Sequence, residues 1–319
     1  MKVLVIQQRR GIGDLVVFLS YIHAISKKEN IPLTVLVNKN TKADEVLKYD
    51  KYIKNVIFFD RGAKKPGEHD GIIGFFKLVK KIKSGNFEKV YIFNSSLRNT
   101  LLAKFAGIKK VFQYPLFQKK KNRNLIETAK KFTENIVGKP VSSQPEIFIN
   151  EKLVEEIKKK YNFSKDFKHI CIGLSASGPT KRWDIDRFIS TLEKINEIKP
   201  SKFYLGGGVN DKILIDKVLN SSIGKHCLSF EKMSISETLP IIKNCDLYIG
   251  NDTSWFNLSC ALGKNCIVIY TDSPILKYSK KVFPIVPSGE TVDTTTHNTR
   301  GKDKISVEHV FQKAKEFLN

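Results

Sequence analysis

Twice along this chain a short, wholly apolar and β-branched run ends in a turn of small residues and gives way to a segment with helical spacing. The first run is Lys2–Gln7 (KVLVIQ), followed by Gly11 and Gly13 and then by Leu15, Phe18, Leu19, Ile22 and Ile25 on one helical face. The second is His169–Leu174 (HICIGL), followed by the loop Ser175–Trp183 and a helix predicted over 184–195. A strand without polar alternation has both faces buried, which is the condition of a parallel sheet covered by helices. The alternation continues around each run. Strands are predicted at 33–37, 55–59, 89–93 and 110–114, with helices at 41–47, 71–84 and 97–105. After an extended stretch at 145–150 and a charged helix at 151–161, strands follow at 202–205, 246–249 and 265–270, with helices at 211–219, 236–243, 252–262 and 307–318. This βαβα order predicts an α/β chain of two Rossmann-like halves. The length of 319 residues agrees, because a single core stops growing near ~250–300 residues. The polar stretch 162–168 is the expected boundary, giving domains 1–163 and 164–319. In such sheets ligands bind beyond the carboxyl ends of the strands, here in the cleft expected between the halves.

Composition narrows the function. Hydrophobic residues make up 41% and charged residues 27%, which is too apolar for a disordered chain. No apolar run approaches the ~18 residues that span a bilayer. Arg9 and Arg10 follow the first run at once, with no small-residue cleavage site, so the expectation is a cytosolic chain. Five cysteines, with no CxxC pair, read as buried reduced thiols. Six scattered histidines give no zinc pattern. The net charge is +23, and it is uneven: residues 1–150 hold 29 Lys/Arg against 12 Asp/Glu. Coding bias toward lysine explains part of the excess but not the asymmetry. The first half is therefore expected to face an anionic partner: a phosphorylated acceptor, a membrane surface or nucleic acid. Its candidate contacts are Arg10, Arg61, Lys64, Lys120 and Arg123, with Lys130 and Lys131 nearby, set against the plain alternative of a solvated charged loop.

Three turns carry candidate chemistry. The first is Arg10-Gly11-Ile12-Gly13-Asp14. It lacks a dinucleotide fingerprint, since the third glycine falls at Val16 and residues 33–38 hold no acid. Asp14 reads either as a helix cap or as a general base facing the cleft. The second is Ser175–Trp183 (SASGPTKRW), where Ser175, Ser177 and Thr180 precede Lys181 and Arg182: an anion cradle, or an exposed loop with solvated cations. Asp184 and Asp186 resemble a metal-binding pair but sit where acids cap a helix. The third is Gly250-Asn251-Asp252-Thr253-Ser254 at the end of a strand, an anion pocket of amides and hydroxyls at a helix start.

These segments, in this order, resemble glycosyltransferase family 9, the ADP-heptose:lipopolysaccharide heptosyltransferases. The match runs through RGIGDLVVFLSYIHAI, GLSASGPTKRWDIDRFISTL, SETLPIIKNCDLYIGNDTSWFNLSCALGKNCIVIY and the closing DKISVEHVFQKAKEFL. The resemblance implies a GT-B fold whose parallel sheets face across a cleft, with an N-terminal acceptor domain and a C-terminal nucleotide-sugar domain. It also implies a closing helix that packs back on the first domain. Such enzymes invert the anomeric carbon, use no metal and need no cofactor beyond an ADP-linked sugar donor. The acceptor implied is an anionic lipopolysaccharide core or related glycan at the cytoplasmic face of the inner membrane, with no nucleic acid.

Carried onto this chain, Asp14 is the expected base and Lys181 the diphosphate contact. The expected donor contacts are Gly13, Ser175, Ser177, Thr180, Arg182, Asp211, Asn251, Asp252, Thr253, Ser254 and Asn257. Ser254 stands where the family usually has glycine, Asn257 where it often has histidine, and Asp211 is the nearest acid to the ribose-gripping position. Two other readings stay open on the residues: a GT-B-like nucleotide-sugar epimerase and a basic nucleic-acid-binding protein. The second lacks an aromatic stripe or any nucleic-acid motif.

Overall fold

The computed structural model describes residues 1–62, 65–116 and 124–318. Contacts divide it into two units, Met1–Phe148 and Ile149–Asn319.

The first unit runs β1 (Val3–Gln7), α1 (Ile12–Glu29), β2 (Leu33–Asn38), α2 (Ala43–Val46), β3 (Ile53–Phe59), α3 (Gly71–Lys83), β4 (Lys89–Ile92), α4 (Leu97–Phe105), β5 (Lys110–Gln113) and α5 (Leu125–Val137). Its sheet has the order β3-β2-β1-β4-β5, with every pair parallel. The most apolar strand is the middle one, where Val5 stands between Val35 and Tyr91. One face is covered by α3 and α4, which contribute Leu78, Val79, Ile82, Leu102 and Ala103 to a core with Leu4, Ile6, Val90 and Ile92. α5 occupies a stretch expected to be a charged loop. Asn124 caps it, and Ile126, Ala129 and Thr133 form its buried stripe. Gly138, at φ 77°, ends it in the left-handed conformation that glycine adopts without a Cβ penalty.

The second unit runs α6 (Glu151–Lys160), β6 (Lys168–Gly173), α7 (Ile185–Ile198), β7 (Ser201–Gly206), α8 (Lys212–Leu219), β8 (Cys227–Ser229), α9 (Ile235–Asn244), β9 (Leu247–Asn251), α10 (Ser254–Ala261), β10 (Asn265–Ile269), β11 (Val282–Ile285) and α11 (Val307–Lys315). The sheet order is β11-β10-β9-β6-β7-β8, again with parallel pairs. The strand period of two sorts its core. Ile170, Ile172, Leu247, Ile249, Ile267 and Ile269 enter one cluster with Phe188, Leu192, Val218 and Phe311, while the alternate Cys171, Tyr248 and Cys266 are buried on the other face. At the sheet centre β6 and β9 approach so closely that a Cβ on Gly250 would meet the Gly173 backbone at 2.5 Å.

One expectation is corrected here. α6 belongs to the second unit, because Val154 is buried and its carbonyl accepts from Asn244 Nδ2 at 3.0 Å. The contact boundary therefore falls at 148/149 rather than 163/164. The closing helix α11 spends its apolar face within the second unit, where Val310, Phe311, Ala314 and Leu318 join the core beside α7. None of the five cysteines forms a disulfide; Cys171, Cys245, Cys260 and Cys266 are buried and Cys227 is half-buried.

Candidate active site

Because all strands of a unit run parallel, the loops at their carboxyl ends gather at one edge of each sheet. In the first unit the chain leaves β1 at Gln7 and enters α1 after Gly11. Asp14 Oδ2 accepts the Gly11 N–H at 3.3 Å, and the buried Gln7 donates its amide to the Asp14 carbonyl at 3.2 Å. Both observations make Asp14 part of the helix start. Its other oxygen accepts from Arg9 Nη1 at 3.1 Å, with 49% of the arginine and 32% of the aspartate side chain exposed. An exposed pair of this kind is worth ~0–1 kcal/mol. An incoming hydroxyl can thus displace Arg9 from the carboxylate at little cost.

Arg10 reaches out of the same turn and donates to the Gly62 carbonyl at 2.6 Å. Arg61 donates to Asp70 Oδ1 at 3.0 Å, while the Gly62 and Gly67 amides both donate to Asp70 Oδ2 at 2.8 Å. Those two amides, then the Arg61 guanidinium, hold the Asp70 carboxyl down at about 2. Arg10 and Arg61 therefore shape the loop after β3 as well as charging it. Lys64, Lys120 and Arg123 lie outside the described residues. Lys130 and Lys131 sit on α5, where they pair with Glu134 and Glu127 one turn away, so the structure neutralises that part of the expected basic cluster.

In the second unit three strand-end loops are joined by side chains. The loop after β6 opens at Leu174 and closes at Trp183, and Asn251, the last residue of β9, holds both ends. Its Oδ1 accepts the Trp183 N–H at 3.0 Å and its Nδ2 donates to the Leu174 carbonyl at 2.9 Å. Trp183 is itself buried, its indole N–H donating to the Ile305 carbonyl at 3.0 Å. The loop after β10 joins through the Thr271 hydroxyl, which donates to the Thr180 carbonyl at 2.8 Å, and through Ser273, whose hydroxyl donates to Asp252 Oδ2 at 2.9 Å. Thr253 caps α10, its hydroxyl accepting the Trp255 N–H at 3.1 Å.

Against this frame the expected donor contacts separate. Ser175, Ser177, Thr180, Lys181 and Arg182 stand on the loop that Asn251 closes, all half-buried or exposed. Among the described residues Lys181 makes no side-chain hydrogen bond, and the Arg182 Nε lies buried without a partner. Asp252, Thr253 and Ser254 stand beside them at the start of α10. One expectation is corrected. Asn251 is fully buried with both amide ends occupied, so its side chain positions the loop and cannot contact a donor. Asn257 is likewise engaged, donating to the Thr253 carbonyl at 2.8 Å and accepting from the Tyr278 hydroxyl at 2.7 Å. Asp211 accepts the Gly208 N–H at 2.9 Å and so braces the turn after β7. Asp184 caps α7 through the Asp186 and Arg187 amides, and Asp186 pairs with Lys217 at 2.7 Å. Among the described residues no cluster of His, Cys, Asp and Glu is arranged to hold a metal ion.

Sequence reasoning missed Asp272. Burial opposes its ionisation, but the Thr180 hydroxyl, the Arg300 amide and the charges of Arg300 and Lys181 outweigh burial and hold its carboxyl below the ordinary value. The signal was present in TDSP after an apolar strand: Asp272 follows the end of β10 by three residues, as Asp252 follows the end of β9 by one.

The geometry agrees with what comparison finds. The profile of glycosyltransferase family 9 (heptosyltransferase) matches residues 75–309. Lipopolysaccharide heptosyltransferase 1 of Campylobacter coli is 20% identical over 324 residues, spanning 93% of this chain and 92% of that protein. Among solved structures, a family 9 glycosyltransferase from Veillonella parvula matches with a TM-score of 0.81 at 16% identity, over 99% of this chain and 97% of that one. E. coli ADP-heptose lipopolysaccharide heptosyltransferase II matches with a TM-score of 0.75 at 16% identity, over 100% and 98%. These likenesses give the two parallel-sheet units the GT-B fold, and the family is one of sugar transferases rather than epimerases. The chain belongs to glycosyltransferase family 9, the heptosyltransferases.

Proposed function

We propose that the protein transfers heptose from ADP-heptose to a lipopolysaccharide core or related anionic glycan, with inversion and without a metal ion or separate cofactor, at the cytoplasmic face of the inner membrane. The observation that carries this reading is the stapled edge of the second unit. Three loops are locked to one another, and Lys181 is left with no side-chain hydrogen bond among the described residues. A cation held ready beside hydroxyls and a helix start is suited to the diphosphate of a nucleotide sugar. The similarity to ADP-heptose and lipopolysaccharide heptosyltransferases supports the donor and acceptor classes.

In this mechanism an acceptor hydroxyl attacks the anomeric carbon from the side opposite the diphosphate, which is why the configuration inverts. Asp14 takes the hydroxyl proton as the new carbon–oxygen bond forms. The old bond breaks, and its electron pair leaves on the terminal phosphate of ADP. Lys181, Arg182 and the amides of Thr253 and Ser254 meet that charge. Because their loops are fixed beforehand, little reorganisation is needed as it develops. Gly13, Ser175, Ser177, Thr180, Asp211 and Asp252 complete the donor contacts of this reading. Arg10 and Arg61, together with Lys64, Lys120 and Arg123 of the sequence, are the acceptor contacts of this reading.

The test is thermal stabilisation by ADP-, GDP- and UDP-linked sugars. A ligand at a hundred times its Kd stabilises the native state by about 2.7 kcal/mol, so the true donor separates from the others. ADP-heptose should raise Tm. Stabilisation by a GDP- or UDP-sugar, with none by ADP-heptose, would overturn the donor assignment.

A further inference from the structure

The first unit carries an apolar surface that the donor chemistry does not use. α3 and α4 pack side by side. On α3, Ile72, Ile73 and Phe76 are 77%, 78% and 52% exposed; on α4, Leu97, Leu101 and Phe105 are 62%, 38% and 55% exposed. The rings of Phe75, Phe76 and Phe105 meet edge to face at 5.3 to 6.0 Å, so the exposed side chains form one continuous patch rather than scattered residues. Between the helices lies a groove of about 590 Å³, lined by Ile72, Phe75, Phe76, Leu97 and Leu101 with Arg98.

Cations continue the same surface. Lys80 and Lys83 follow Phe76 by four and seven residues, which at 3.6 residues per turn keeps them on its stripe, and both are exposed. Exposed Lys104 borders Phe105 on α4. Neither helix contains an acid, and residues 71–126 hold 13 Lys/Arg against the single acid Glu88. A second copy of the chain on this face would press like charges together. A surface with an apolar interior under negative headgroups complements both halves of the patch at once.

We propose that the α3–α4 face docks on an anionic phospholipid surface, with Ile72, Ile73, Phe76, Leu97 and Leu101 entering the boundary below the headgroups and Lys80, Lys83 and Lys104 meeting their phosphates. The proposal rests on the reading above only for why the protein visits a membrane. Its test needs neither donor nor turnover. Co-sedimentation of the full chain is measured with vesicles of phosphatidylethanolamine and phosphatidylglycerol, and with phosphatidylcholine alone. The protein should partition to the anionic vesicles, and less so as salt is raised.

Ile73→Asp with Phe76→Asp should lower partition at least about tenfold. Lys80→Glu with Lys83→Glu should abolish the salt dependence and the preference for anionic lipid. Ile73→Asp alone, at a position 78% exposed, should keep the wild-type Tm and still weaken partition, which separates docking from folding. Absence of partition by the wild type, or wild-type partition by the variants, would overturn the proposal. So would a concentration-dependent dimer in sedimentation velocity that Ile73→Asp dissolves, because it would assign the face to a second copy. A failed partition leaves donor stabilisation standing, and failed donor stabilisation leaves the partition standing.

Discussion

Asn251→Ala probes the staple that shapes the donor edge. The side chain is fully buried, accepting from the Trp183 amide at 3.0 Å and donating to the Leu174 carbonyl at 2.9 Å. Alanine leaves one buried donor and one buried acceptor unpaired, each costing about 1–3 kcal/mol. Water entering the vacated space recovers part of this, so a loss of about 3 kcal/mol is expected. For a unit of this size each kcal/mol moves Tm by roughly 2–4 °C, giving a drop of about 6–12 °C. The chain has two tryptophans, Trp183 and Trp255, both in the second unit, so their fluorescence follows the unfolding of the unit concerned. Asn251→Asp retains an acceptor for Trp183 but loses the donor to Leu174 and buries a charge, so it should destabilise at least as much. In both variants the loop bearing Lys181 loses its fixed ends, and donor-induced stabilisation should shrink. An Asn251→Ala protein that melts within about 2 °C of wild type would refute the staple, since the two bonds would then carry under about 1 kcal/mol.

Other outcomes follow from the same geometry. Asp14→Asn should reduce transfer by about a hundred- to ten-thousandfold while leaving the donor-induced Tm shift in place; near-normal turnover would remove Asp14 as the base. The Asp70 carboxyl is lowered from 3.8 to about 2 in the folded protein, so the stability it adds is complete above the ordinary carboxylate range and is lost as pH falls through about 2. Melting curves of wild type and Asp70→Asn should accordingly differ near neutrality and converge in acid; a constant offset down to that pH contradicts the assignment. Burial pushes the Cys171 and Cys227 thiols up to about 12, and Cys245 and Cys266 also well above the usual value. A thiol reagent at mildly alkaline pH should therefore label the native protein slowly and all five cysteines promptly in denaturant; one fast stoichiometric thiol would argue against this packing.

The strands were readable wherever burial on both faces made them continuous apolar runs, as in KVLVIQ and HICIGL. Elements that broke that rule were missed. β11 contains Pro284, which argues against a strand inside a sheet, but β11 is an edge, where an absent N–H leaves no ladder bond unmade. β8, three residues long, is the other edge and offers too little pattern. α5 hid behind its lysines, because Lys130 and Lys131 read as a solvated run until Glu134 and Glu127 are seen one turn away.

Local chemistry sufficed for the parts of the site that are local. Asp184 at the start of α7 and Thr253 before α10 each act on neighbours a few positions away, and the order of residues specifies them. Which polar side chains remain free for a ligand was decided only by folding. Asn251 reads like a ligand contact in Gly-Asn-Asp-Thr-Ser, yet its partners lie 68 and 77 positions upstream, at Trp183 and Leu174. Asp272 gains its Arg300 amide and its charge partners through segments following β6, β10 and β11 that meet only in the folded sheet. The exposure of Ile72, Ile73 and Phe76 was equally out of reach, because an apolar stripe is core or surface according to what covers it. Periodicity records what a residue prefers, whereas hydrogen bonds and cover between distant segments depend on where the chain brings them together.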